Sequence, residues 1–187
     1  MIYQSGYLTI KGYNPISQSF KLDFPNNEVK KGFLIMLAND YLKCKTDSAS
    51  WCVNTVNALA IADLNAFRKL ITGFFASIPY SQRRRATEHK QERDFQYTFY
   101  LLLRMISSYF VYVEKETSEG RADCVIEAQD YIYIFEFKRD GTASEAIKQI
   151  NDKGYAQEYA GDKRKLFKIG CNFSTATGTI DDWAVEE

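Results

Sequence analysis

Apolar and polar positions change rhythm along this chain, and each rhythm predicts a different element. Tyr7 to Ile10 and Ser19 to Leu22 are short β-prone runs parted by Gly12 and the Asn14-Pro15 turn signal, which predicts a hairpin. Val29, Phe33, Leu37 and Tyr41 then recur at every fourth position behind Asn26 or Asn27, either of which can cap a helix from about Glu28 to Leu42. After a polar break at Thr46 to Ser50, two more helical patterns cover about Ala49 to Ala60 and Ala62 to Phe75, the second introduced near Asp63. Ile78-Pro79 ends that helix, and SQRRRATEH forms a charged connector.

Beyond the connector, Phe95, Phe99, Leu102, Leu103 and Ile106 make the stripe of a long helix starting near Glu88. Glu92, one turn ahead of Phe95 and Gln96, shares nearly the same face and so looks inward. Three strand patterns follow at Tyr109 to Glu116, Ala122 to Glu127 and Tyr131 to Lys138, the last apolar on both faces and therefore central in its sheet. Thr142-Ala143-Ser144-Glu145 is a capping box for a helix to about Tyr155, and after Gly161 a strand runs from Leu166 to Phe173. The order helix, three strands, helix, strand defines an α/β class with a mixed sheet flanked by helices. Because the pattern changes at Ile78 to Ala86, the expected division is a hairpin-and-helices part over 1–80 and an α/β part over 87–187.

Composition changes this picture little. At 45% hydrophobic and 15% aromatic, the 187 residues suffice for a packed core. Twenty-four basic and twenty-four acidic side chains cancel, so any contact with nucleic acid must come from a local patch. Cys44, Cys52, Cys124 and Cys171 form no CxxC pair and the one histidine is His89, which argues against zinc, while the apolar strand patterns around Cys124 and Cys171 read as reduced, buried thiols in a cytoplasmic setting. No run reaches the roughly eighteen apolar residues of a membrane span, and the N-terminus lacks a basic-then-apolar signal pattern.

The chemistry gathers in GRADCVIEAQDYIYIFEFKR, Gly120 to Arg139. Alternation along a strand puts Glu136 and Lys138 on one face, with Phe135 and Phe137 on the other. A turn at Gln129-Asp130 would fold Ala122 to Ala128 back, carrying Asp123 to that same face. Two carboxylates about 5 Å apart at an effective dielectric near 20 repel by about 3 kcal/mol, and Lys138 offsets one charge only. With Glu92 the site holds three acids and one base, a surplus that a divalent ion neutralises. Ligands that are all oxygen suit Mg²⁺ or Mn²⁺. Such an ion polarises a phosphoryl oxygen and lowers the pKa of water, while a lysine steadies the developing charge.

Other charged groups have plainer readings. Glu116 and Glu127 read as solvent-facing strand residues, and Arg121 pairs with Glu116 or a phosphate. His89 reads as a surface residue. The clusters Arg83-Arg84-Arg85 and Lys163-Arg164-Lys165 are solvated segments or contacts to a phosphate backbone.

The D…ExK pattern across a strand pair, in this order of elements, resembles the PD-(D/E)xK nuclease superfamily. The likeness extends through Glu92 with Phe95 and Gln96, Glu116 to Asp123, Tyr131 to Lys138, Gln149-Ile150, Lys153 to Ala156 and Gly170 to Ser174. It spans about Thr87 to Trp183 and resembles an uncharacterised bacterial branch in which the domain follows an AAA-ATPase-like domain. YQSGYLTIKGY resembles the tail of that ATPase-like domain, which implies a C-terminal piece of a longer protein.

The resemblance implies a restriction-endonuclease-like core and Mg²⁺- or Mn²⁺-dependent hydrolysis of phosphodiesters in DNA or RNA. It implies Asp123 and Glu136 as metal ligands supported by Glu92, Lys138 as catalytic, and Gln149 lining the site, sometimes beside a Tyr such as Tyr155. Arg121, Tyr155, Arg84, Lys163 and Arg164 are the expected nucleic-acid contacts. The superfamily's Pro before the Asp is Ala122 here. The alternative is a catalytically silent module of the same fold that binds nucleic acid or a partner for the attached ATPase.

Overall fold

The computed structural model describes residues 3–42, 48–77, 98–100, 102–103, 110–117 and 120–187. The expected hairpin is present as β1 (Thr9–Asn14) and β2 (Ser19–Asp23), antiparallel, with β1 reaching four residues further than its β-prone run. Asn26 caps α1 (Asn27–Leu42): its side-chain oxygen accepts from the Val29 N–H at 2.9 Å. Phe33 on α1 packs against Tyr7 and Phe24, with ring centroids 5.1 and 5.4 Å away, which ties helix to hairpin.

Helix α2 (Ser48–Ala60) ends where the Asp63 N–H bonds the Ala58 carbonyl and the Ala62 N–H bonds that of Leu59. This pairing closes a helix through one left-handed residue, here Ala62 at φ 55°. One residue later the Asp63 carboxylate accepts from the Ala66 N–H and starts α3 (Leu64–Ser77). Helical turns at 98–100 and 102–103 place Phe99, Leu102 and Leu103 in the core. The rest of the long helix expected from Glu88, and the connector before it, lie outside the described residues.

Five strands form the main sheet in the order β3-β4-β5-β6-β7: β3 (Phe110–Thr117), β4 (Gly120–Glu127), β5 (Tyr131–Arg139), β6 (Lys165–Ser174) and β7 (Thr179–Glu186). β3, β4 and β5 run antiparallel, β5 and β6 pair in parallel, and β7 returns antiparallel, so the sheet is mixed and β5 lies at its centre. The parallel step needs a crossover, and α4 (Ala143–Asp152) supplies it. The capping box forms as expected, Thr142 accepting from the Glu145 N–H and Glu145 from the Thr142 N–H. The helix stops at Asp152, three residues short of the expectation. Gly154, at φ 58°, closes it with bonds from its own N–H to Asn151 and from the Tyr155 N–H to Ile150. A 3₁₀ turn, Gln157–Tyr159, leads on to β6.

The two faces of the sheet bury different things. Tyr133, Phe135 and Phe137 face α2, α3 and the helical turns, sharing one core with Trp51, Phe67, Ile71, Phe99 and Ile180. That core draws on residues from both sides of the pattern change at 78–86. A smaller core on the opposite face gathers Ala122, Val125, Ile132, Ile134, Ile150 and Tyr155 beneath α4. Gly170 allows α4 to lie close: a Cβ there would come within 2.2 Å of the Ala143 carbonyl oxygen. No helix among the described residues is long and apolar enough to cross a membrane.

Candidate active site

The α4 face of β5 carries polar side chains where its apolar run gives out. Ladder pairing between β4 and β5 ends at Cys124 opposite Phe135. One step further stand Asp123 and Glu136, and here a side chain replaces the ladder: the Asp123 Oδ2 accepts the Phe137 N–H at 2.9 Å. The carboxylate is thereby fixed to the backbone of the strand that bears Glu136 and Lys138. Gly170, which stands beside Glu136 in the parallel pairing, draws in the helix that brings Gln149.

Glu136, Lys138 and Gln149 form one hydrogen-bonded group. Gln149 Nε2 donates to Glu136 Oε1 and Lys138 Nζ donates to Gln149 Oε1, while Lys138 Nζ lies 3.8 Å from Glu136 Oε1. Glu136 is 2% exposed, yet its second oxygen, Oε2, is buried without a hydrogen-bond partner. Buried carboxylate oxygens are seldom left so, because the loss of water is uncompensated. The carboxyl is accordingly pushed up to about 8, first by burial and second by the negative charge of Asp123. Lys138, the Asp123 backbone N–H and Gln149 pull the other way and do not offset it.

An orphaned buried oxygen, a second carboxylate at its side and a single ammonium fit a divalent cation with oxygen ligands. Asp123 and Glu136 are the acids that would hold it. Glu92, expected to complete the set, lies outside the described residues, and among the described residues no three His, Cys, Asp or Glu side chains cluster as a metal site.

The remaining expected residues separate into distinct settings. Tyr155 is 3% exposed and packs in the α4-side core, its ring 3.2 Å from where a Cβ on Gly120 would stand. Arg121 is exposed and opposite Glu116 in the β3–β4 register. Lys163 is exposed, whereas Arg164 donates to Asp162, to Glu127 and to the Ala128 carbonyl. Glu127 is thus no free solvent-facing residue: Arg164, Lys115 and Tyr159 all bond it, and its carboxyl is held below the usual range despite the opposing cost of burial. Arg84, His89 and Cys44 lie outside the described residues. Cys52, Cys124 and Cys171 are buried thiols outside any disulfide among the described residues, and burial raises the Cys124 and Cys171 thiols far above their ordinary values.

Sequence reasoning missed β7 and with it Asp181 and Asp182, which bond Asn172 and the Ala143 N–H. Two acids in succession broke the alternation that marks a strand. It also missed Asn172, a buried polar residue in an apolar strand, and that position in the pattern was the available signal.

A mixed sheet with an acid on each of two antiparallel neighbours, a lysine two residues beyond the second acid and a crossover helix delivering a glutamine defines a nuclease-type site. The family comparison agrees: residues 90–183 match the model of the PD-(D/E)XK nuclease superfamily, and the chain belongs to that superfamily. Its members usually use divalent metals. Along its whole length the chain is also similar, at 30% identity, to an uncharacterized protein in the vnfD 5′ region of Azotobacter chroococcum mcd 1. It spans 37% of that protein's length.

Proposed function

We propose that this chain is a Mg²⁺- or Mn²⁺-dependent phosphodiesterase that cleaves nucleic acid, with DNA as the first substrate to test and RNA the second. One observation carries the reading: the buried Glu136 carboxylate keeps an unpartnered oxygen beside Asp123, within the group that also holds Lys138 and Gln149. A ground-state fold gains nothing from such an atom, whereas a cation site requires it.

Asp123 and Glu136 would hold the ion, with Glu92 as a third acid. Bound there, the ion supplies Lewis-acid polarisation of a phosphoryl oxygen and a lowered pKa for nearby water. Glu136 would give up its proton on taking an ion, so binding would strengthen as pH rises towards about 8. Lys138 keeps its ammonium on the open side of Glu136 and steadies negative charge on the attacking oxygen or the phosphoryl group. Gln149, its amide anchored to Glu136, fixes where Lys138 points. Packing under α4 keeps the acid pair partly shielded from water, which strengthens each of these interactions.

For the nucleic-acid backbone, Arg121 and Lys163 are the exposed described candidates, with Arg84 a further one. Tyr155, buried in the core, and Arg164, engaged by Asp162, Glu127 and the Ala128 carbonyl, are not put forward as contacts. The AAA-ATPase-like partner remains part of this reading on the likeness of Tyr3 to Tyr13 to the tail of such a domain. A cytoplasmic setting accords with three buried, unbridged thiols.

The test is cleavage of plasmid and single-stranded substrates with Mg²⁺ or Mn²⁺. Loss in Lys138→Ala and Asp123→Ala, with unchanged circular dichroism, supports the enzyme. Binding without cleavage under either metal instead assigns a silent nuclease-fold module.

A further inference from the structure

Lys138 and Gln149 reach the site from opposite sides of one turn, residues 140–142, and the geometry points to Asn172 and Asp181 as the pair that sets this turn. Asn172 stands beside Lys138 in the β5–β6 register, is 4% exposed, and its side-chain oxygen accepts the Gly141 N–H at 2.8 Å. Gly141 lies beside the lysine stem, with no room for a side chain between them: a Cβ at 141 would stand 3.3 Å from the Lys138 Cβ. The bond from Asn172 therefore fixes the base of Lys138 and the entry to α4 together.

Asn172 is itself oriented from the edge of the sheet. Its Nδ2 donates to Asp181 Oδ1 at 2.8 Å, and the Asp182 Oδ2 accepts the Ala143 N–H at 2.8 Å. Neighbouring residues on a regular strand point to opposite faces, so Asp181 and Asp182 could not both reach the α4 side of a regular β7. The pairing shows how they do. Asn172 lies opposite Asp182 and Phe173 opposite Ile180, leaving Asp181 as the extra residue of a bulge. Bulges re-aim side chains in this way. One carboxylate then sets the Asn172 amide with its oxygen towards Gly141, and the next holds the first turn of α4.

Asn172 and Asp181 are positioning residues that act through Lys138 and the α4 entry. This role rests on the nuclease reading for its kinetic consequence and on the fold alone for its structural one. Reversing the pair separates them. Asn172→Asp alone sets two carboxylates face to face. Adding Asp181→Asn restores the bond with donor and acceptor exchanged, the new carboxylate still accepting from Gly141. In steady-state cleavage, Asn172→Ala and Asn172→Asp are expected to lower kcat by roughly 10- to 100-fold with KM within about twofold, and the exchanged pair to recover most of the loss.

The ¹⁵N resonance of the Lys138 ammonium, assigned by its disappearance in Lys138→Arg, reports independently of activity. It should be sharp in the wild type, broadened in Asn172→Asp and sharp again in the exchanged pair. An unchanged Lys138 signal in both single variants, or an exchanged pair no better than Asn172→Asp, overturns the assignment. A wild type that cleaves nothing would sink the nuclease reading, while the resonance would still decide this one.

Discussion

The two faces of β5 belong to the same nine residues and follow opposite rules. Towards α2 and α3 it presents Tyr131, Tyr133, Phe135 and Phe137, rings that touch one another and Phe67, Phe99, Phe167 and Trp183. The buried Tyr133 hydroxyl is satisfied by the Leu59 carbonyl, which accepts it at 2.6 Å. Towards α4 the strand begins in the same manner with Ile132 and Ile134, then places Glu136 where its Oε2 finds no partner. Stability resides on the first face. On the second, a local cost is kept at the position where an ion would relieve it, a separation that the packed first face makes tolerable.

The largest expected break in this contrast is Phe135→Ala. Its ring is fully buried and within about 6 Å of those of Phe67, Phe99 and Trp183. Urea unfolding should show a loss of about 3–5 kcal/mol. Next is Gly170→Ala, whose added methyl meets the Ala143 carbonyl oxygen and must push α4 away. A loss of ~2–3 kcal/mol should come with reduced cleavage, because Gln149 moves with the helix.

Glu136→Gln sharpens the contrast in the other direction. Between the ordinary carboxyl value of 4.5 and the folded value of about 8, the unfolded chain ionises at this residue while the folded one stays protonated. The metal-free protein therefore loses stability as pH climbs through that window. With chelator at pH 6, Glu136→Gln should be more stable than the wild type by about 2 kcal/mol, and the gain should vanish below about pH 4.5. Thermal melts across pH measure it. Smallest is Tyr133→Phe, which removes one buried hydrogen bond for ~1 kcal/mol and should leave cleavage unaltered.

Much of this arrangement was legible from residues. Alternation along Tyr131 to Lys138 assigned the faces of β5, the turn at Gln129-Asp130 brought Asp123 back, and the Thr142 capping box placed α4, while Gln149 as a site residue came from the family resemblance. What escaped depends on contacts distant in sequence or on broken periodicity. Asp181-Asp182 disguised β7 because a bulge lets neighbours share a face. Gly154 ended α4 before Tyr155, and Gly170, an isolated glycine in an apolar strand, was a readable mark of close helix approach. The bonds that hold Glu127 could not be read at all, since Arg164 meets it from 37 residues away.

The most direct measurement is a crystal grown with Mn²⁺ at neutral pH and examined for anomalous scattering. The account predicts a peak between the Asp123 and Glu136 carboxylates, with an oxygen of Glu136 now a ligand, and its absence in Glu136→Gln. Well-ordered acids with no peak at saturating Mn²⁺, or a peak that survives that substitution, would contradict it.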